Sequence, residues 1–373
     1  MRIGVPTEIK NHEYRVGLAP AAARELVHHG HEVFVEAGAG AGIGAADAAY
    51  AAAGAKIVPT AAEVFAKAEM VVKVKEPQLA ECKMLRPGQV LFTYLHLAPD
   101  PEQIEALMKS GCTAIAYETV TAADGSLPLL APMSEVAGRM SIQAGAHALE
   151  KAQGGRGVLL GGVPGVAPGK VVILGGGVAG TNAAHVALGS GADVTIVDKS
   201  VPRLRHLDAI FGGRAKTVYS TVDAVEALLK DADLVIGAVL IPGASAPKLV
   251  SRALLKTMQP GSVIVDIAID QGGCLETSRA TTHDAPTFVE EGVIHYCVAN
   301  MPGAVARTST YALNHATLPY ALALANKGWK RALADDAGLK NGLNIHEGRI
   351  TFKAVAEALG RTADYRPAEA CAA

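Results

Sequence analysis

The sequence predicts an α/β protein of two Rossmann-like doubly wound domains, one of them discontinuous in the chain, joined by long helices. Three observations carry this. Short apolar runs alternate with amphipathic helical stretches along most of the 373 residues, the pattern of mostly parallel sheets covered by helices. A glycine motif, Gly175-x-Gly177-x-x-Gly180, sits between a strand-like run and a helix. Two long helical stretches, 134–151 and 309–327, flank the segment that contains it.

The chain begins with a strand-like run, Arg2–Val5, then a helix over 21–29 closed by Gly30, then a strand over 32–35. Runs at 71–74, 89–93 and Thr113–Ala116 continue the alternation, with helices over 63–67 and 101–109 between them. Residues 134–151 form a helix candidate with Ser134 as its N-cap and small residues on its packing face, a bridge between domains. The segment 154–169 is rich in glycine and proline and reads as a loop. Six strands come after it, at 171–174, 194–197, 215–218, 233–238, 262–267 and 294–298, the number of a complete doubly wound dinucleotide domain.

The helix over 309–327 leads to a tail with a turn at 342–344 and a helix over 351–359. That tail is too short to fold alone, and the N-terminal layer is its natural partner. The expected limits are therefore 1–132 for the first segment of a substrate domain, 133–305 for a dinucleotide domain, and 306–373 for a linker helix and the second substrate segment. Two helical crossings would then flank one interdomain cleft, a common place for a small ligand.

Composition narrows the class. Half of the residues are hydrophobic, yet no uninterrupted apolar run has the length of a membrane span, and the first residues read directly as a strand. A soluble, unprocessed protein is expected. The net charge of -2 gives no electrostatic argument for nucleic acid or for an anionic membrane. Cys82, Cys112, Cys274, Cys297 and Cys371 form neither a C-x-x-C pair nor zinc spacing with the 12 histidines. They read as reduced thiols of a cytoplasmic protein, Cys297 as a core residue.

The most informative stretch is KVVILGGGVAGTNAAHVALGSGADVTIVD, residues 170–198. Gly175 permits a tight turn, Gly177 lets a pyrophosphate approach the backbone, and Gly180 lets the helix pack on its strand. The helix N-terminus then offers free N–H groups and partial positive charge to the phosphates. A glycine motif alone is weak in a chain of 40 glycines, but Asp198 closes the next strand where a Rossmann acid meets the adenosine ribose. A carboxylate within ~4 Å of a 2′-phosphate is repelled by several kcal/mol at an effective dielectric of about 20, which favours NAD over NADP. Lys199 and Arg203 work against that preference.

Ligands of open α/β sheets lie at the carboxyl ends of strands. The polar residues there are Lys75, Tyr94 and His96 in the N-terminal layer and Ser220, Asp270 and Asn300 in the nucleotide domain, with Arg15 in the loop after the first strand. Four of them have a structural alternative. Lys75 pairs with Glu76, His96 is a satisfied core histidine, Asp270 caps the turn at Gly272-Gly273, and Arg15 pairs with Glu13. Together they are a kit for a 2-amino or 2-keto acid: a guanidinium for the carboxylate, an ammonium to polarise a carbonyl, an imidazole that exchanges protons near neutral pH, and a carboxylate.

With these residues in view the chain resembles the alanine dehydrogenase family, shared with the first domain of proton-translocating transhydrogenase. The resemblance runs end to end through MRIGVPTEIKNHEYRVGLAP, VKVKEP, LFTYLHLAPD, DIAIDQGGCLETSRATTHDAPTF and YCVANMPGAVARTST. It implies Arg15 and Lys75 as substrate-binding residues and His96 and Asp270 as the acid–base pair, with Met133 on the substrate side; Tyr94, from its strand-end position, is read as a further substrate-binding residue. It implies NAD contacts from Ser134, Val178, Asp198, Arg203, Ser220, Val239, Leu240, Ile267, Ala268, Ile269, Asp270, Arg279, Val298, Ala299, Asn300 and Met301, beside the three glycines. It implies a homohexamer that reversibly converts L-alanine to pyruvate and ammonium. Some members hold a divalent metal through an acid and a histidine on the helix that here carries Ala323 and Lys327, so no metal site is expected. Position 203 is often lysine in the family; arginine keeps the charge. Two other readings remain at this point: a nucleotide-binding transhydrogenase subunit, and an inactive NAD-responsive regulator.

Overall fold

A computed structural model describes residues 1–239 and 246–372. The chain divides into two compact units, Met1–Met133 with Gly303–Ala373, and Ser134–Pro302. In chain order the strands are β1 (Arg2–Val5), β2 (Glu32–Glu36), β3 (Lys56–Val58), β4 (Met70–Val72), β5 (Val90–Thr93) and β6 (Thr113–Ala116). Then come β7 (Lys170–Leu174), β8 (Asp193–Asp198), β9 (Lys216–Tyr219), β10 (Leu234–Gly237), β11 (Val263–Asp266), β12 (Thr287–Glu290) and β13 (Val293–Tyr296). The last two are β14 (Leu343–His346) and β15 (Arg349–Ile350).

The first unit's sheet has the order β15-β14-β6-β5-β4-β1-β2-β3. β1 to β6 run parallel in the doubly wound order 3-2-1-4-5-6, and β14 and β15 extend the edge antiparallel. The second sheet, β12-β13-β11-β10-β7-β8-β9, repeats that order from β7 to β13, with β12 antiparallel at its edge. The two units are thus the same winding, and the predicted α/β class is the one observed. Strands β4, β5, β10 and β11 are buried at every residue, as expected where helices cover both faces of a parallel sheet. One core packs β7, β8, β10 and β11 on helix Val178–Gly189, and another packs β4 to β6 on Pro101–Ser110.

Helix ends obey local chemistry. Asp100 accepts from the Gln103 N–H at 3.0 Å, Pro101 opens the helix Pro101–Ser110, and Gly111 closes it at φ 69°. Several sequence expectations need correction. The helix expected over 134–151 is Ala131–Ala148, so Ser134 lies inside its first turn and is not the N-cap. Pro132 can occupy that turn because the N–H it lacks has no helical partner there. The helix expected from 309 starts at Ala306. Residues 342–344, expected as a turn, lead into β14, whose His346 pairs with Thr113 of β6. The second sheet gains a seventh strand, β12, whose TFVE sequence is half exposed at an edge and lacks an apolar run. Among the described residues no helix is long and apolar enough to cross a membrane.

Candidate functional site

In the first unit, the loop after β1 folds its charges inward. The Arg15 guanidinium donates from Nε and Nη2 to the two Glu13 carboxylate oxygens at 2.7 and 2.6 Å, and from Nη1 to Met133 Sδ at 3.1 Å. Arg15 is only 3% exposed. Burial opposes its charge, but the hydrogen bonds and charge of Glu13 outweigh burial and hold the guanidinium more firmly protonated than usual. The structural alternative, an Arg15–Glu13 pair, is therefore present. It holds the guanidinium plane in a fixed orientation.

The segment after β5 supplies Tyr94 and His96. Their rings stack at 5.7 Å with an interplanar angle of 12°. The Tyr94 hydroxyl donates to the Leu129 carbonyl, and burial pushes its pKa up, against the nearby Arg15 charge. His96 has φ 48°, a left-handed conformation uncommon for a side-chain-bearing residue. Its N–H and that of Leu95 donate to Glu118.

After β4, Lys75 is half-buried, and its carbonyl accepts from Thr93 Oγ1 at 3.0 Å. Burial raises the pKa of Glu76, but the charges of Lys75, Lys10 and His96 together lower it more, so this carboxyl is held below its ordinary range. The same partners tie Lys75, Glu76 and His96 into one electrostatic group. Arg15, Met133, Tyr94, His96 and Lys75 thus gather in one region of the first unit.

The neighbouring Lys73 was not singled out by the sequence. It is fully buried, with Nζ 2.6 Å from Glu81 Oε1 and 3.1 Å from Glu8 Oε2. Glu8 also accepts from the Val74 N–H at 2.6 Å, and the Tyr117 hydroxyl donates to the Lys73 carbonyl at 3.0 Å. Burial works against the Lys73 charge, yet the two carboxylates raise its pKa. The clue available in VKVKEP was a lysine between two valines of an apolar run, which must be paired if buried.

In the second unit the glycine turn joins β7 to helix Val178–Gly189. Gly175 has φ 101°, and a Cβ there would lie 2.7 Å from the Ala238 carbonyl oxygen; a Cβ on Gly180 would lie 1.9 Å from the Gly175 oxygen. Among the described residues a Cβ on Gly177 would meet nothing within 4 Å and no side chain caps this N-terminus, and Val178 is exposed beside it. These residues fit a dinucleotide's phosphates. Asp198 at the end of β8 accepts from the Gly176 and Ser200 N–H groups, both at 2.8 Å, and its backbone oxygen accepts from the Ser220 N–H. Arg203 donates from Nε to the Gly176 oxygen at 2.6 Å and from Nη2 to Thr181 Oγ1 at 2.7 Å, which clamps the turn from behind.

The other nucleotide-side candidates lie on neighbouring segments of this unit. Ile267, Ala268, Ile269 and Asp270 form the 3-10 helix Ile267–Gln271 after β11. Its N-cap is Asp266, a residue the sequence did not flag, and Asp270 is exposed. Asp266 accepts from Ala268 and Cys274 N–H and from Ser278 Oγ at 2.5 Å. Val298 bridges Thr281, Ala299 donates to the Thr281 oxygen, the Asn300 carbonyl lies 2.8 Å from His283 Nε2, and Met301 is buried in the core. The Arg279 guanidinium lies 3.9 Å from the Phe288 ring centre. Val239 and Ser134 are half-buried; Leu240 lies outside the described residues.

Two family models match the chain: the alanine dehydrogenase/PNT N-terminal domain over residues 4–137 and the alanine dehydrogenase/PNT C-terminal domain over residues 141–353. An alanine dehydrogenase of Halomonas elongata is 62% identical over 96% of this chain and 97% of its own length. A solved L-alanine dehydrogenase superposes with a TM-score of 0.94 at 56% identity, covering 96% of this chain and 99% of that one. A transhydrogenase structure from Sinorhizobium meliloti is more distant, with a TM-score of 0.81 at 26% identity over 95% of this chain and 100% of that one.

Proposed function

This chain belongs to the alanine dehydrogenase/PNT family, and from that premise we propose that it is an NAD-dependent L-alanine dehydrogenase: L-alanine, NAD and water give pyruvate, ammonium, NADH and a proton, reversibly. The observation that carries the reading is the gathering of Arg15, Lys75, Tyr94 and His96 in the first unit, in a chain whose second unit has a glycine turn suited to a dinucleotide. The identity to alanine dehydrogenases far exceeds that to the transhydrogenase, so the transhydrogenase reading is the weaker one.

Arg15, oriented by Glu13, takes the substrate carboxylate. Lys75 takes the oxygen of the keto acid, and Tyr94 and Met133 line the substrate. NAD held at the glycine turn would supply a hydride acceptor for the substrate carbon. The imine that results takes up water and then expels ammonia, and His96 carries the protons of both steps. Asp270 orients the water and the nucleotide. The glycines, Asp198 and the segments after β8 to β11 and β13 hold the nucleotide, and Asp198 favours NAD. The family implies a homohexamer, and the free cysteines suit a cytoplasmic setting.

The test is a panel of amino acids assayed for NAD reduction. Steady NADH formation from L-alanine is expected, with weaker turnover of close homologues, since one methyl group in a pocket is worth only ~1 to 3 kcal/mol. A panel in which L-alanine gives no NADH overturns the substrate assignment.

A further inference from the structure

We infer that Glu118 is the positioning residue of His96: it fixes the backbone from which the imidazole is presented. The inference rests on the proton-carrying role proposed for His96 and deepens it. Glu118 sits in the turn Tyr117–Thr119 directly after β6, and His96 comes just after the neighbouring strand β5. The Glu118 carboxylate accepts from the His96 N–H at 2.7 Å and from the Leu95 N–H at 3.1 and 3.2 Å. Two successive N–H groups converging on one anion form a nest, a conformation that a carboxylate can hold.

His96 at φ 48° needs such a hold, because an L residue adopts this region rarely unless its surroundings impose it. Tyr94 supplies the second constraint. Its ring stacks on the imidazole while its hydroxyl is anchored on Leu129, so one partner sets the ring face and the other sets the main chain. A third tie, Thr93 Oγ1 to the Lys75 carbonyl, fixes the same strand end to the segment carrying Lys75. Without the carboxylate the backbone at His96 is expected to relax toward negative φ and carry the imidazole out of line. Misplacement of a reacting group by ~1 Å costs on the order of 10²-fold in rate.

The experiment is a double-mutant cycle on the full chain with E118A, E118Q, H96A and H96A/E118A, reading kcat and KM for L-alanine, NADH affinity by fluorescence, and thermal unfolding. E118A is expected to lower kcat about 10- to 100-fold with little change in NADH affinity. E118Q, whose amide oxygen still accepts, is expected to recover much of that loss. In the H96A background E118A is expected to cost almost nothing more, because no imidazole remains to be misplaced. A kcat for E118A within about twofold of wild type, or an equal loss in both backgrounds, overturns the inference. If E118A does not fold, E118L, which fills the space but accepts no hydrogen bond, takes its place in the cycle with the same two readings. If the wild-type protein makes no NADH from L-alanine, the substrate assignment fails on its own. The inference is then judged by the ¹⁵N spectrum of the His96 imidazole, which E118A is expected to shift and which, if unmoved, overturns it.

Discussion

The two units share one strand order and differ in the segment that leaves their first strand. After β7 the chain turns through three glycines straight into a helix whose N-cap is Gly177. After β1 it runs through residues 6–19 before the helix Pro20–His28, and the charges in that loop fold back: Glu8 onto Lys73 and Val74, Glu13 onto Arg15. The same position in the same winding thus holds a glycine-lined helix start in one unit and a pre-paired ionic cluster in the other. Topology supplies an address where ligands bind, while loop chemistry decides which ligand.

The sharpest way to separate the two addresses is His96→Ala. Loss of a general acid–base group is expected to lower kcat by ~10² to 10⁴-fold with NADH affinity unchanged. An equal loss of NADH affinity, measured by fluorescence titration, would break the division of labour. Arg15→Lys removes the fork geometry while keeping the charge. Its kcat/KM for alanine is expected to fall by the equivalent of about 2 to 5 kcal/mol, seen mainly as a raised KM. In the second unit, Gly180→Ala drives a Cβ to 1.9 Å from the Gly175 oxygen. It is expected to destabilise by about 1 to 3 kcal/mol and to weaken NADH binding, with a calorimetric scan and a titration as checks.

The smallest effect concerns pH. Because Glu76 is held below its ordinary value of 4.5 in the fold, its ionised form stabilises the protein above that value, and the contribution is lost as pH falls through the lower folded pKa. The stability gap between wild type and Glu76→Gln should therefore be widest near neutrality and narrow on acidification. A gap that widened in acid would reverse the sign.

Much of this was legible because it is local. The spacing of Gly175, Gly177, Gly180 and Asp198 is contained in one stretch, and the run lengths of β4 to β6 announced the parallel sheet. The features that failed to show depend on distant partners. The depth of Lys73 was hidden because its partners are Glu8, 65 positions earlier, and Glu81 on a separate short helix. Four residues, LNIH, do not declare β14 without β6 beside them. Arg15 and Glu13 were readable as a pair, but their burial was not. Glu118 was passed over because its partners are backbone N–H groups, which every sequence has everywhere.

The pairing of β14 with β6 also orders events during synthesis. Thr113 and His346, which pair across that edge, are 233 positions apart, with the whole of Ser134–Pro302 between them. At ~5 to 20 residues per second, a ribosome takes about 10 to 50 s to make that interval. The inserted unit therefore has its complete sequence available while the unit that began first still waits for its last strands. Until β14 is made, the edge of β6 is open to pairing by other nascent chains, so the first segment made is the last to be safe from misassembly.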